Sequence, residues 1–243
     1  MKFLRGYLMI LFSWLLPATA AWAQRVEVVG MAASFNASQS RVRESDIQLG
    51  NYLLQTTPAY PRFDDTGNRF SAYARIRVGE GSFFVQPELA YTSVLSSRYL
   101  LNYPGDAGSP GAPGYQPAST APFGYRMRRG EVAALAGRHL GPRFYVLAGP
   151  VLALQVRDRA TTSVPAVYHS LAEAVEPVQL LGQVGLGLKV WRLDLGLRYE
   201  QSLTPYSRQI TFDEQTQGFH QRTNQFILSA GVLLYDRSHR WRK

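Results

Sequence analysis

Residues 192–202 read RLDLGLRYEQS, and this stretch decides the fold class. Its odd positions are apolar: Leu193, Leu195, Leu197 and Tyr199. Its even positions are polar or small: Asp194, Gly196, Arg198 and Glu200. A period of two predicts a β-strand with one apolar face and one polar face.

The same alternation recurs along the chain after residue 24. It is clear at 83–95, 178–190 and 225–235 and weaker at 25–35, 70–78, 123–138 and 143–157. No window has a convincing helical period, apart from a short one at 170–175. About eight strands without helices predict an all-β sandwich or barrel.

The connections between these strands alternate in length. Tight hairpins are expected at 79–81, 139–142 and 190–192, and long connections at 36–69, 96–122, 159–176 and 203–221. All long loops then fall at one end of the structure. This plan is typical of bacterial outer-membrane proteins, so we predict a single antiparallel up-and-down transmembrane β-barrel with its termini in the periplasm.

A soluble lipocalin-like barrel would have the same alternation with the two faces exchanged. Glycines on the polar faces favour a crowded lumen. Aromatic residues also cluster beside the short turns: Phe83, Phe84, Phe144, Tyr145, Trp191 and Tyr235. Tyr91 and Tyr199 follow eight residues further along their strands, which is a rise of roughly 20 Å for a strand tilted by about 40°. That height is close to the ~25 Å apolar band of a membrane barrel.

The first 23 residues have the features of a secretory signal peptide. Lys2 and Arg5 precede an apolar run of about ten residues, and Ala21 and Ala23 provide the small residues of a cleavage site. We therefore expect a cleavable signal peptide at 1–23, a barrel domain at 24–236 and a basic periplasmic tail at 237–243.

The composition of the 243-residue chain excludes several classes of function. There is no cysteine, so a disulfide framework and a thiolate zinc site are impossible. The net charge is +9, but the basic residues are scattered along the sequence. Because the protein is also expected to lie outside the cytoplasm, no nucleic-acid partner is expected. We expect no cofactor and no metal site.

Four segments carry a family resemblance. Residues 86–91 read QPELAY, 148–150 read AGP, 185–187 read GLG and 194–199 read DLGLRY. The chain thereby resembles the PorT-like outer-membrane β-barrel proteins over most of residues 24–236. The resemblance implies a small antiparallel barrel in the outer membrane, and some members are tied to protein secretion and gliding machinery.

The charged residues on the polar faces are predicted to form an ionic network in the lumen: Arg75, Arg77, Glu88, Glu131, Arg157, Lys189, Asp194, Arg198 and Glu200. A narrow lumen is stable only if such charges pair. Glu88 and Arg198 each lie five residues beyond a strand start, so we predict that they meet across the barrel. A packed ionic lumen argues against an open porin.

Three arginines lie where the fourth strand meets the outer loops: Arg126, Arg128 and Arg129. They are candidates for contact with lipid phosphates at the outer rim, with a solvated strand extension as the alternative. The segment 103–122 is rich in proline and glycine, so a mobile outer loop is expected there.

The four histidines lack partners at metal-ligand spacing. His169 and Ser170 are adjacent, with Glu173 and Glu176 nearby, and a lipid-modifying enzyme would need such groups within hydrogen-bond reach. A solvated loop is the simpler interpretation. We therefore expect a non-enzymatic outer-membrane protein with a structural, accessory or surface-interaction role. A lipid-modifying barrel enzyme and a soluble lipid-binding barrel are the alternatives.

Overall fold

The computed structural model describes most of the chain between residues 26 and 237. The described ranges are 26–43, 46–49, 52–56, 65–95, 99–103, 119–123, 126–156, 170–171, 173–212 and 214–237. The expected signal peptide, residues 238–243 of the expected tail and residues 104–118 of the Pro/Gly-rich segment lie outside them.

Within these ranges the chain forms thirteen β-strands. They are β1 (Val26–Val42), β2 (Asp46–Leu49), β3 (Tyr52–Thr56), β4 (Asp65–Arg77), β5 (Phe83–Leu95), β6 (Tyr99–Tyr103), β7 (Ser119–Phe123), β8 (Arg126–His139), β9 (Phe144–Gln155), β10 (Val178–Val190), β11 (Leu193–Ser202), β12 (Ser207–Phe212) and β13 (Gln215–Asp236).

Eight of these strands close into an antiparallel barrel. Their order is β1-β4-β5-β8-β9-β10-β11-β13, and β13 pairs with β1 over most of its length to complete the ring. The ninth strand of this sheet, β12, pairs with β13 beyond the ring. The predicted all-β barrel of about eight strands is confirmed.

The two ends of the barrel differ as the sequence predicts. β4–β5, β8–β9 and β10–β11 are joined by hairpins of a few residues, and Val28 near the chain start pairs with Asp236 at the end of β13. The tightest turn is Trp191–Arg192, where Trp191 adopts a φ of 53°, as a two-residue hairpin turn requires. We call this the short-turn end and the opposite one the long-loop end.

The connections at the long-loop end contain more structure than the sequence predicts. β2, β3, β6 and β7 form a separate four-stranded sheet, and β12 and the first part of β13 form a hairpin. The backbone N–H of Ala174 donates to the carbonyl of Ser170 in a single helical turn, which precedes a small apolar cluster of Met127, Val175 and Tyr206. These added strands are four to six residues long, too short to establish a clear period.

The outer wall of the barrel is a continuous apolar band. Large apolar side chains project from every strand of the ring, and Leu89 on β5 and Leu228 on β13 are 63% and 62% exposed. Soluble monomers rarely expose so large an apolar surface. The exposed apolar band is that of a transmembrane β-barrel. Separately, no helix among the described residues is long and apolar enough to cross a membrane.

The lumen is packed with side chains of two kinds. One part of the lumen is an apolar cluster, in which Phe84, Leu135, Leu147 and Val151 are buried together. Another part carries buried polar and charged groups, among them Arg69. Phe84 and Tyr145 lie beside the short turns, as expected, but they point into the lumen. They alternate along their strands with Phe83 and Phe144, which point outward.

Two prolines, Pro87 and Pro150, lie inside barrel strands. Because a closed ring has no edge strand, the sequence predicts a bulge or a local loss of pairing at each of them. Pro87 interrupts the ladder between β5 and β4 but keeps its place opposite Ala134 of β8. Pro150 interrupts the ladder between β9 and β8 but keeps its place opposite Gly182 of β10. The register is the same on both sides of each proline, so the prediction of local loss of pairing is confirmed.

Deleting residues 238–243 is expected to leave the barrel folded and inserted. The last strand ends at Asp236, whose carboxylate pairs with Lys189 at 2.7 Å, so the deletion removes no described strand residue. Recovery of the truncated chain in the outer membrane, with unchanged migration on an unheated gel, checks this. Failure to reach that membrane would show that the tail belongs to the assembly signal.

Candidate functional site

The lumen holds a cluster of six ionised side chains at mid-height. It consists of three arginines and three glutamates: Arg69, Arg129, Arg198, Glu88, Glu131 and Glu200. They come from β4, β5, β8 and β11, where alternation turns each of them inward. Their charges cancel, and every member is buried. We call this set the central cluster.

Arg69 is the hub of the central cluster. Its guanidinium lies 3.0 Å from Glu88, 2.7 Å from Glu131 and 3.4 Å from Glu200. The side chain is only 1% exposed. One cation therefore bridges carboxylates from three strands across the lumen, which is the planar, multidentate role to which arginine is suited.

The other two arginines complete the pairing. Arg198 donates to both carboxylate oxygens of Glu88, at 3.0 and 2.8 Å. Arg129 donates to Glu131 at 2.6 Å and also to Glu200. Glu88 and Arg198 thus lie in direct contact across the barrel, as their equal depth on β5 and β11 predicts.

Three glutamines extend the network. Gln225 and Gln183 donate to Glu200 at 2.6 and 3.2 Å, and Gln86 donates to Glu88 at 2.9 Å. These amides occupy carboxylate lone pairs that the arginines leave open. Such partners are what make a buried ionic group tolerable.

A second cluster lies closer to the short-turn end, around Asp194. Asp194 accepts hydrogen bonds from Arg75 at 2.5 Å, from Tyr145 at 2.8 Å and from Tyr73. The guanidinium carbon of Arg75 also lies 3.9 Å from the centre of the Tyr145 ring, a cation–π contact. Arg75 donates to Gln86 at 2.8 Å, so Gln86 joins this aspartate cluster to the central cluster.

Glycines opposite the aromatic rings make room for the aspartate cluster. A Cβ added at Gly187 would overlap the ring of Tyr145. Gly187 and Tyr145 are paired neighbours on β10 and β9. The missing side chain therefore lets the ring lie flat against the strand and reach Asp194.

Replacing Gly187 with alanine is expected to displace Tyr145 and to lower the free energy of unfolding by about 1–3 kcal/mol. Gly130→Ala is the control, because a Cβ there meets nothing within 4 Å. Urea titration of both variants in lipid vesicles measures the difference. Equal stability of the two variants would show that the Tyr145 ring is not held by close packing.

Two residues predicted for the lumen network lie at the short-turn rim instead. Arg77 is 48% exposed and pairs with Glu27, which also lies 3.2 Å from His139. Lys189 pairs with Asp236. The expectation of a network position was wrong for both, because strand parity gives the face of a side chain but not its depth. Arg157 lies outside the described residues.

The rim group consists of Glu27 with Arg77 and His139. The Glu27 carboxylate is buried, and both partners lie within hydrogen-bond distance of it. A half-open cavity of about 700 Å³ lies beside this carboxylate at the mouth of the barrel, with Tyr145 and Trp191 in its lining. The carboxylate of Glu27 is thus already paired with Arg77 and His139 at this mouth of the barrel.

The three arginines proposed for lipid contact separate into two groups. Arg126 is exposed and Arg128 is half-buried, both on the outer face of β8 at the long-loop end. Arg129 points into the lumen and binds Glu131 and Glu200, so the expectation of a lipid contact was wrong for it. The sequence carried the signal, because Arg129 shares strand parity with Glu131.

The hub residue Arg69 is not among the residues that the sequence pattern predicts for the lumen network. Arg69 was placed in a long loop at 36–69, but β4 begins at Asp65. Extending the alternation of 70–78 backward by a few residues would have turned Arg69 inward with Arg75. The tyrosines Tyr73 and Tyr145 have no comparable signal, since their hydroxyl contacts depend on the cross-barrel geometry.

The residues considered for enzyme chemistry are only partly described. His169 lies outside the described residues. Ser170 starts the helical turn, Glu173 is exposed, and Glu176 pairs with Arg208 at 3.3 Å. Within the described part of the chain, no group of three or more His, Asp or Glu residues is arranged to hold a metal ion.

Comparisons with known proteins give no family. No family model and no curated protein sequence matches the chain, so membership of the PorT-like family is not shown.

Several solved structures of outer-membrane β-barrels are similar to this chain, with low TM-scores and low sequence identities. Ail of Yersinia pestis in a phospholipid bilayer nanodisc shares 13% identity at a TM-score of 0.36, covering 84% of this chain and 99% of that one. Ail in complex with the heparin analogue sucrose octasulfate gives 13% and 0.37, covering 86% and 99%. The translocator domain of the autotransporter NalP from Neisseria meningitidis gives 10% and 0.31, covering 93% and 95%. The fold assignment rests on the strand pairing described above.

Proposed function

We propose that this chain is a non-enzymatic barrel of the bacterial outer membrane with a structural, accessory or surface-interaction role. The observation that carries the proposal is the polarity of the barrel wall, which is apolar outside and ionic inside. A lipocalin-like barrel in water needs the opposite arrangement. Bacterial proteins that cross a membrane with β-strands do so as closed barrels, and these barrels lie in the outer membrane.

The proposed barrel does not conduct. An eight-stranded ring leaves an interior just wide enough for side chains, and here the central and aspartate clusters span it. Moving ions through would require breaking several buried ion pairs at once. A role based on the wall, the rims and the loops is therefore favoured over transport.

The proposed orientation places the short-turn end and both termini in the periplasm. The four-stranded sheet and the β12–β13 hairpin then face outward, where they supply the surface for interaction. Outer-membrane lipids contact the apolar band, and Arg126 and Arg128 are placed to meet lipid phosphates at its upper edge. The PorT-like resemblance is the basis for including a protein partner in the cell envelope or the secretion machinery in this proposal.

Cell fractionation with gel migration tests the proposal. The full chain should be recovered with the outer membrane, and its detergent extract should migrate differently before and after boiling, as closed membrane barrels do. Recovery in the soluble periplasmic fraction would contradict the proposal and favour the lipid-binding alternative. Altered lipid masses in a deletion strain would contradict the non-enzymatic part.

Protease added to intact cells should cut within residues 96–122 and spare the turn at residues 79–81. The long connection lies outside the membrane in the proposed orientation, whereas the β4–β5 turn lies behind it. Mass analysis of the fragments locates the cuts, and cells opened by osmotic shock provide the control in which the turn becomes reachable. Cleavage at the turn in unbroken cells would reverse the orientation.

A further inference from the structure

The strands β1 and β13 continue beyond the apolar band at the long-loop end and carry arginines on their outer face. Arg41 and Arg222 are directly opposite each other in the ladder. Just beyond this pair, toward the long-loop end, the Arg43 backbone N–H donates to the carbonyl of His220 at 2.9 Å. All three arginine side chains are exposed. We call Arg41, Arg43 and Arg222 the arginine patch.

The height of the patch matches a lipid headgroup layer. Phe226 is the uppermost large apolar residue on the outer face of β13. Arg222 follows four residues further along the strand, which is about 13 Å along it and about 10 Å of height at a tilt near 40°. Arginine side chains extend toward a membrane interface while keeping the charged group in the polar layer, so the guanidinium groups reach the headgroups.

The charge of the patch is not compensated within the described part of the chain. Among the described residues no ion pair involves Arg41, Arg43 or Arg222, and Arg41 donates to the neutral amide oxygen of Gln39 at 3.3 Å. Like charges directly opposite each other in a ladder are destabilising. Arg208 on the adjacent β12 provides the contrast, because it does have a carboxylate partner in Glu176.

We propose that the arginine patch binds the phosphate groups of an anionic glycolipid headgroup in the membrane leaflet at the long-loop end. Guanidinium groups bind phosphate oxygens through paired, charge-assisted hydrogen bonds. A phosphate between Arg41 and Arg222 would turn their mutual repulsion into two attractive contacts. The inference rests on the proposed function, since it needs the long-loop end in the outer leaflet. It adds a site on the β1–β13 side of the barrel, separate from Arg126 and Arg128 on β8.

The test compares two double variants of the full chain in detergent micelles. Arg41→Gln with Arg222→Gln removes two charges from the patch. The matched control, Arg138→Gln with Arg192→Gln, removes two exposed charges from the short-turn rim, where these arginines lie over Phe83 and Trp191. Each protein is titrated with bis-phosphorylated lipid A and with the same lipid after removal of its phosphates.

The wild type and the control should bind bis-phosphorylated lipid A alike, and the patch variant about tenfold more weakly, the loss expected for charge-assisted hydrogen bonds to phosphate. Equal binding by all three proteins, or binding that survives removal of the phosphates, would overturn the inference. Gel migration without boiling reports separately on barrel folding. If the barrel folds but its lipid A binding does not depend on the phosphates, the proposal for the patch is refuted alone. If the chain never shows the gel migration of a folded barrel, the proposed function is refuted. Arg222→Gln alone, at a strand position open to solvent, provides a second variant.

Discussion

Replacing Arg69 with methionine is expected to lower the free energy of unfolding by about 3–5 kcal/mol, the usual cost of leaving a buried charge without its partner. Methionine replaces the aliphatic stem of the side chain but removes the cation that lies 3.0 Å from Glu88 and 2.7 Å from Glu131. Three carboxylates would then share two arginines in a lumen closed to solvent. Urea titration of the protein in lipid vesicles measures the loss.

Arg198→Met provides the comparison within the same cluster. Arg198 binds Glu88 and Gln183, whereas Arg69 reaches all three glutamates. Arg69→Met should therefore be the more damaging change. If Arg198→Met costs as much or more, Arg69 is not the hub of the cluster.

A second substitution should restore part of the loss. Glu131→Gln removes one negative charge and keeps the side-chain shape. Because Arg129 keeps Glu200 and Arg198 keeps Glu88, the double variant Arg69→Met with Glu131→Gln balances the cluster again. We expect it to be more stable than Arg69→Met alone. Strictly additive losses would show that the two residues are uncoupled.

Replacing Asp194 with asparagine is expected to cost about 3 kcal/mol by the same mechanism. Asp194 is the carboxylate that pairs with Arg75, and it also accepts hydrogen bonds from Tyr73 and Tyr145. Arg75 is fully buried, so asparagine leaves its cation facing neutral groups. Thermal unfolding monitored by gel migration measures the change.

Tyr145→Phe is the matched control for the aspartate cluster. It removes one hydrogen bond to Asp194 and keeps the ring beneath Arg75, so it should cost only about 1 kcal/mol. Adding Arg75→Met to Asp194→Asn should recover stability, because the unpaired cation is gone. A Tyr145→Phe loss as large as that of Asp194→Asn would mean that the phenol, rather than the ion pair, holds this cluster.

The ring of eight strands was predictable because one physical requirement acts on every residue of each strand. Each barrel strand must place one face toward lipid and the other toward the lumen, so the period of two persists over ten or more residues, as in 192–202. The strands β2, β3, β6, β7 and β12 lie beyond the apolar band, where that requirement is absent. Their short sequences therefore show no clear alternation.

The site was predictable in part for the same reason. Parity placed Glu88, Glu131, Asp194, Arg198, Glu200 and Arg75 inside the barrel, and equal distance from a turn placed Glu88 beside Arg198. Parity carries no information about depth, so Arg77 and Lys189 were assigned to the lumen but lie at the rim. Arg69 was missed because the start of its strand was placed too late.

Single-channel recording of the purified full chain in a planar lipid bilayer tests the central claim most directly. That claim is a membrane-spanning barrel whose lumen is filled by paired charges. Insertion, verified by gel migration of the reconstituted protein, should produce no steady conductance steps, because the central and aspartate clusters close the lumen. Stable ohmic channels from inserted wild-type protein would contradict the account and show an open pore.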